Sequence, residues 1–357
     1  MKRYKIWIQY SLIVIISLVV LISLFNYKID SLSIFGNSKY LNQASKTLLS
    51  DKMIAGLKNY DERLFQKYII ADSKEKRDII LLGSSRTMVF RKKFLREKNA
   101  TFFNHSVSGA SLDDFIAIVG LYESIAGYLP HHIIIGIDDW MLNKSYTPNR
   151  WKSLSKYYFY EMNKIYHTDK YSTKEEFNLS KWKQLINYDY TISNIEFYIN
   201  LLKNHHKIFY TTDTINIDDS IKEPDGSIHY PYKVRYISAK EVKIEAISLA
   251  KRKIKTEKKF ELYTKLFEDF ISYLKSNNVK VTLLLPPYNP LSYNLLTQKY
   301  HYKTIDNIEN YLRKYANKNH IEVEGSYNPN KYNLKLTDFS DGIHGHEEVF
   351  KKIFNYK

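Results

Sequence analysis

The chain lacks cysteine altogether among its 357 residues. This absence excludes disulfide bonds, thiolate metal sites and a cysteine nucleophile. Acidic residues are also few beside basic ones, because 38 Asp and Glu stand against 54 Lys and Arg, for a formal net charge of +16. A surface this basic attracts polyanions and repels polycations. No internal repeat is visible, and a composition of 44% hydrophobic and 26% charged residues is typical of a globular protein.

The N-terminal segment lacks charge over 20 residues, from Ile6 to Phe25. A helix of that length spans about 30 Å of hydrocarbon. Lys2, Arg3 and Lys5 precede the run, so the positive-inside rule predicts a cytoplasmic N-terminus and an extracytoplasmic remainder. A cleaved signal peptide is the alternative, but no small-x-small cleavage pattern follows. We therefore predict a single-pass anchor over residues 1–28 of a cell-membrane protein, followed by a juxtamembrane helix and linker over 29–77.

Short apolar runs alternate with helical patterns in the rest of the chain. Ser111 and Asp114 form a capping-box pattern in front of one apolar stripe at helical spacing. Alternating strands and helices predict a three-layer α/β/α fold with about five parallel strands, as in flavodoxin-like proteins. We place this domain at residues 78–140 and 278–357. The predicted strands are Asp78–Gly83, Thr101–Asn104, His132–Gly136, Val279–Leu285 and Ile321–Val323.

Residues 141–277 have weaker periodicity and are rich in Tyr, Trp, Lys and Asn. We interpret them as a large, mainly helical insertion that caps one edge of the sheet, with helices at 182–203 and 239–276. A turn at Pro224–Ser227 interrupts it.

Polar side chains follow four of the predicted strands. Ser84 and Ser85 follow the first strand, Ser108 and Gly109 the second, Asp138 and Asp139 the third, and 341–344 the last. Ligands of open parallel sheets bind beyond the carboxyl ends of the strands. These four segments are therefore predicted to meet at one edge.

The same segments resemble the sequence blocks of the SGNH, or GDSL-like, hydrolases. Gly83–Ser85 is similar to the first block, Asn104–Gly109 to the second, and Gly136–Asp139 to the third, which is normally Gly-x-Asn-Asp. Asp341–His344 is similar to the closing Asp-x-x-His. The blocks occur in the family's order, and the resemblance covers roughly 78–140 and 278–357.

The resemblance implies a catalytic triad of Ser85, His344 and Asp341. A serine hydroxyl is a poor nucleophile until a positioned base takes its proton, which would be the task of His344. Asp341 would hold the other ring nitrogen and stabilise the imidazolium. The backbone N–H groups of Ser85 and Gly109 would form the oxyanion hole. An acyl-serine intermediate would pass to water or to an acceptor hydroxyl.

Asp138 departs from the family pattern, which has an asparagine that donates to the oxyanion. A carboxylate there would repel the developing negative charge. The hole could use the backbone donors alone, Asp138 could be protonated, or the loop could direct it elsewhere. Arg86, beside the nucleophile, could neutralise charge or be a solvated arginine at a helix start.

With its anchor, the chain is similar to bacterial wall-polymer acylation proteins, such as those of teichoic acid D-alanylation and polysaccharide O-acetylation. The resemblance implies O-acetyl or D-alanyl transfer onto an anionic cell-envelope glycopolymer, with a membrane-bound O-acyltransferase as partner. The alternatives are a glycopolymer O-acyl esterase and a non-catalytic polymer-binding scaffold. No cofactor or nucleic acid is expected. No metal is expected either, because His344 and His346 lack a third ligand nearby.

Overall fold

The computed structural model describes residues 2–31, 34–35, 39–58, 60–172, 182–203, 208–256, 261–298 and 303–356. Its centre is a five-stranded sheet in which all neighbouring strands are parallel. The strands are β2 (Ile79–Leu82), β3 (Phe102–Asn104), β4 (His132–Gly136), β8 (Lys280–Leu285) and β9 (Glu322–Gly325).

The spatial order of these strands is β3-β2-β4-β8-β9. This is the flavodoxin-like order, in which the direction of winding reverses between the first and third strands along the chain, here β2 and β4. The mixed α/β fold class with about five parallel strands is confirmed.

Helices and loops cover both faces of the sheet, which explains why the strands are continuous apolar runs. Every residue of β2 and β4 is buried. One face packs against several helices, and the other packs against residues 88–95 and the last helix. The helices among the described residues are α1 (Lys2–Ile29), α2 (Lys39–Leu48), α3 (Glu62–Asp72), α4 (Leu112–Leu121), α5 (Ser155–Ile165), α6 (Tyr188–Lys203), α7 (Tyr232–Arg235), α8 (Ala239–Thr256), α9 (Lys265–Ser276), α10 (Pro290–Thr297), α11 (Lys303–Lys318) and α12 (Glu347–Ile353).

A buried ion pair joins the juxtamembrane region to the sheet domain. The carboxylate of Asp114 accepts from the backbone N–H of Ser111 at 2.8 Å, as the capping pattern predicts. It also takes two hydrogen bonds, of 2.9 and 3.1 Å, from the guanidinium of Arg63 in α3. Bidentate pairs of this kind fix orientation as well as adding energy. Helix α3 of this region is therefore held against the sheet domain.

A small antiparallel sheet was not predicted. It joins β1 (Ile54–Ala55) to β5 (Tyr210–Thr211), β6 (Ile221–Lys222) and β7 (Ile228–His229) in the order β5-β1-β6-β7. The predicted turn at 224–227 connects β6 and β7. The small sheet packs the juxtamembrane region and the insertion together at the edge of the larger sheet.

The helices of the insertion differ from the prediction in their bounds. The predicted helix at 239–276 is two helices, α8 and α9, with residues 257–260 outside the described part. The predicted helix at 182–203 corresponds to a short 3₁₀ turn at Gln184–Ile186 followed by α6.

The N-terminal helix α1 continues through the predicted span. Tyr4–Ile29 is long and apolar enough to cross a membrane. The side of the membrane on which the remaining domain lies stays a prediction.

Glu161 in α5 gives the fold a pH dependence. Its side chain is fully buried, and neither carboxylate oxygen has a hydrogen-bond partner among the described residues. Burial, with a contribution from Glu123, raises the pKa of Glu161 to about 9. A carboxyl whose pKa is higher in the folded state than in the unfolded state costs stability as pH rises from about 4.5 towards 9.

We therefore expect Glu161→Gln to stabilise the fold at pH 8, by about 1–3 kcal/mol, and to have little effect near pH 4.5. Thermal unfolding of both proteins across this pH range measures the difference. A stabilisation of the same size at both pH values would contradict the assignment.

Candidate active site

Ser85 lies directly beyond the carboxyl end of β2, at the start of a single 3₁₀ turn, Ser85–Thr87. Glycine at position 83 makes the tight turn possible, because a Cβ there would lie 2.0 Å from the Thr87 hydroxyl oxygen. That hydroxyl is held between the carbonyl of Ser84, at 3.0 Å, and the hydroxyl of Ser106, at 2.8 Å. The turn that carries Ser85 is thus held in place by the packed side chains of Thr87 and Ser106.

His344 and Asp341 share one turn after β9. The Asp341 Oδ1 atom accepts from the backbone N–H groups of Ile343 and His344, both at 2.8 Å. The backbone of Ser340 donates to the carbonyl of His344 at 3.0 Å and closes the loop. These bonds explain how a three-residue spacing brings the carboxylate beside the imidazole.

The three side chains form one hydrogen-bonded chain. Ser85 Oγ lies 2.9 Å from His344 Nε2, and His344 Nδ1 lies 2.6 Å from Asp341 Oδ2. With the ring proton on Nδ1, the serine hydroxyl donates to Nε2 and Nδ1–H donates to the carboxylate. Burial raises the pKa of Asp341, but the hydrogen bonds and charge of His344 outweigh it and lower the pKa to about 2. Asp341 is therefore ionised at neutral pH.

The predicted oxyanion hole consists of the backbone N–H groups of Ser85 and Gly109. In the part of the chain that the structure describes, the N–H groups of Ser85 and Gly109 have no hydrogen-bond acceptor. Gly109 has a φ of +56°, a left-handed conformation that glycine adopts without strain. The preceding Ser108 is held by Glu62 in α3, which accepts from its hydroxyl at 2.9 Å and from its backbone N–H.

Asp138 has a different environment from an oxyanion donor. Its carboxylate is fully buried, and its Oδ1 accepts from Arg86 Nη1 at 2.8 Å. Burial raises the pKa of Asp138, whereas the positive charge of Arg86 opposes the rise. The geometry corresponds to the third alternative, in which the loop directs this carboxyl elsewhere.

Arg86 is not the solvated side chain that the sequence allowed. Its side chain is fully buried, its Nη2 donates to the carbonyl of Pro286 at 2.5 Å, and its guanidinium lies 4.4 Å from the centre of the Tyr288 ring. The neighbouring Asp139 pairs with Lys253 of α8 at 2.7 Å. Arg86 thus contacts the loops that follow β4 and β8, and the pair of Asp139 with Lys253 joins the insertion to the same edge of the sheet.

Ser85 and His344 line a cavity of about 930 Å³. Its wall includes both apolar side chains and charged ones, and most of it comes from the juxtamembrane region and the insertion. The lining residues are Ile34, Ile54, Leu57, Tyr60, Asp61, Glu62, Arg63, Ser85, Met88, Ser108, Arg150, Ser220, Lys222, Ile228, Tyr230 and His344.

Tyr230 and Glu62 contact the site, but the sequence analysis does not predict either of them as a site residue. The hydroxyl of Tyr230 donates to the carbonyl of Ser85 at 2.9 Å, and its ring lies edge-on to His344 with 6.2 Å between centres. Both residues lie outside the blocks that resemble a known family. Neither stands in a local pattern that would have distinguished it.

Fold and site together define an α/β protein of flavodoxin-like strand order that carries a Ser–His–Asp hydrogen-bonded chain at the carboxyl edge of its sheet. No family model matches the chain, and no curated protein matches it in sequence. Among solved structures, the chain is similar to a putative acylhydrolase from Bacteroides fragilis, with 12% identity and a TM-score of 0.33 over 79% of this chain and 85% of that one. A likeness this low carries no argument about the site. Among the described residues, no group of three His, Asp or Glu side chains could hold a metal ion.

Proposed function

We propose that the protein is a serine acyltransferase that acts outside the cytoplasmic membrane on hydroxyl groups of an anionic cell-envelope glycopolymer. The observation that carries the proposal is the hydrogen-bonded chain from Ser85 through His344 to Asp341. A serine, an imidazole and an ionised carboxylate in this order are the arrangement that activates a hydroxyl for attack on an acyl carbon.

The proposed reaction has two steps, acylation of Ser85 and transfer of the acyl group to an acceptor. Ser85 Oγ attacks the carbonyl carbon of an acyl ester while its proton passes to His344 Nε2. The carbonyl oxygen becomes an oxyanion that the N–H groups of Ser85 and Gly109 bind. As the donor C–O bond breaks, the leaving alcohol takes the proton from His344, and the acyl group remains on the serine.

In the second step, His344 accepts the proton of an acceptor hydroxyl as that oxygen attacks the acyl-serine. Collapse of the second oxyanion releases the acylated acceptor and returns the proton to Ser85. Asp341 stays ionised throughout and stabilises the imidazolium.

Three features favour a polymer acceptor near a membrane. The cavity is large enough for an acyl group and part of a sugar polymer, and its wall carries Arg150 and Lys222 beside the carboxyl groups of Asp61 and Glu62. The chain as a whole carries a formal net charge of +16. Its α1 helix would keep the site beside the envelope, where a membrane-bound O-acyltransferase would supply the acyl group, acetyl or D-alanyl, from across the bilayer.

The test is whether turnover depends on an acceptor. Full-length protein in nanodiscs is given an acyl ester with and without an anionic glycopolymer, and both the free acid and the polymer-bound ester are measured. A transferase forms polymer ester and hydrolyses the donor slowly alone, whereas an esterase hydrolyses rapidly without polymer. If neither product depends on Ser85 while the polymer still binds, the protein is a scaffold.

A further inference from the structure

Helix α6 has an apolar stripe that the described part of the protein leaves partly exposed. Its residues follow the spacing i, i+4, i+7, i+11 and i+14, which places them on one side of a helix. They are Tyr188 (77% exposed), Ile192 (36%), Ile195 (39%), Ile199 (43%) and Leu202 (48%).

An adjacent side of α6 packs against the end of α1. The hydroxyl of Tyr190 donates to Asp30 Oδ1 at 2.8 Å. Asn194 accepts from the backbone N–H of Ser31 at 2.9 Å and donates to Asn26 Oδ1 at 2.9 Å. All five side chains are buried. The apolar stripe is therefore a different side of α6 from the one that contacts α1.

These contacts set the depth of α6 relative to a membrane. The uncharged run of α1 ends at Phe25, and about 20 residues at 1.5 Å each fill the hydrocarbon thickness. The contacts with α6 begin at that boundary, where the ring of Phe25 lies edge-on to Tyr198 at 6.3 Å. They continue through Asn26 to Ser31, so α6 meets α1 at the level of the lipid head groups.

The side chains around α6 are those that favour this level. Tryptophan and tyrosine concentrate at membrane interfaces; Trp182, six residues before α6, is 45% exposed, and Tyr188, the first residue of α6, is 77% exposed. Lys183, before the 3₁₀ turn that precedes α6, and Lys203, the last residue of α6, would reach anionic head groups.

We propose that α6 lies in the head-group layer of the bilayer that α1 crosses, with its stripe of five apolar residues against the acyl chains. Helices of this kind bury their apolar face about 5–10 Å into the head-group boundary. Two attachments, one across and one along the membrane, restrict how the domain can tilt.

This attachment would also bring the cavity to the membrane. Ile34 lines the cavity and follows Ile29, the last residue of α1, by five residues. Five residues of extended chain reach at most about 18 Å. The wall of the cavity therefore lies close to the surface on which a membrane-tethered donor or polymer would be presented.

The absence of cysteine makes a direct test possible. Ile195→Cys on the stripe and Glu196→Cys beside it place one label each on full-length protein in nanodiscs. An environment-sensitive fluorophore on each cysteine is exposed to lipids with a nitroxide on the acyl chain and, separately, to aqueous iodide. Ile199→Cys and Asn200→Cys form a second matched pair on the same helix.

We expect lipid nitroxide to quench the labels at 195 and 199 at least about twofold more than those at 196 and 200, with the reverse order for iodide. Equal iodide quenching within each pair would overturn the proposal, because the stripe would then face water. Labels at 195 and 199 that are shielded from iodide yet unaffected by lipid nitroxide would also overturn it, because a second copy of the chain would then cover the stripe.

Discussion

Turnover of an aryl acetate should fall roughly 10⁴- to 10⁶-fold when His344 is replaced by alanine, and by a similar factor when Ser85 is replaced. The Ser85→Ala, His344→Ala double variant should lose little more than either single variant. The hydroxyl and the imidazole, 2.9 Å apart, act as one unit, so removing either one removes the activated nucleophile. Steady-state hydrolysis by the purified full-length protein measures all three losses.

His346→Asn is the matched control for this series. His346 is two residues from His344, but its backbone N–H donates to the carbonyl of Asp338 at 2.8 Å, and asparagine is a good residue at the start of a helix such as α12. We expect its turnover to stay within about threefold of the wild type. Independent losses that multiply in the double variant would contradict a shared mechanism of Ser85 and His344.

The second large effect concerns stability. Arg86→Met should destabilise the fold by about 3–5 kcal/mol, because it leaves the fully buried carboxylate of Asp138 without its positive partner. Methionine keeps much of the side-chain volume, so the loss reports the charge more than a cavity. Thermal or denaturant unfolding of the full-length protein measures the change.

The Arg86→Met, Asp138→Asn double variant separates the ion pair from packing. Removal of the buried charge should restore a large part of the lost stability, although the hydrogen bond to the carbonyl of Pro286 stays absent. If the double variant is the sum of the two single losses, Asp138 and Arg86 are not coupled.

Much of the parallel sheet could be predicted because its strands are buried on both faces. A run such as Ile133–Ile135 has no polar face and ends in glycine, and few other structures fit it. The helix that begins after Ser111 was similarly marked by its cap and its stripe. The burial of such a strand or helix is visible in the pattern of its own residues, and for that reason the sequence alone predicts it.

The small antiparallel sheet has no such local signal. Its strands β1, β5, β6 and β7 are two residues long, too short for any periodicity, and β1 pairs with residues more than 150 positions later. Their pairing depends on tertiary packing around the cavity. The roles of Tyr230 and Glu62 could not be predicted for the same reason, because their contacts with Ser85 and Ser108 form only when distant segments fold together.

The contact between Ser85 and His344 can be predicted from the geometry of parallel sheets. Ser85 comes directly after β2 and His344 lies in the long loop that follows β9, and the carboxyl ends of parallel strands share one edge. The buried position of Arg86 could not be read in this way. An arginine after a serine at a helix start is usually solvated, and only the fold shows that Asp138 and Tyr288 enclose it.

The most direct test of the account is the site at which a fluorophosphonate reacts. The reagent phosphonylates a serine only if a base has activated its hydroxyl, and peptide mass spectrometry identifies the residue. We expect one adduct, on Ser85, in the wild type and in His346→Asn, and none in His344→Ala. Folded wild-type protein that stays unlabelled, or that carries the adduct on another residue, would contradict the claim that Ser85 is an activated nucleophile.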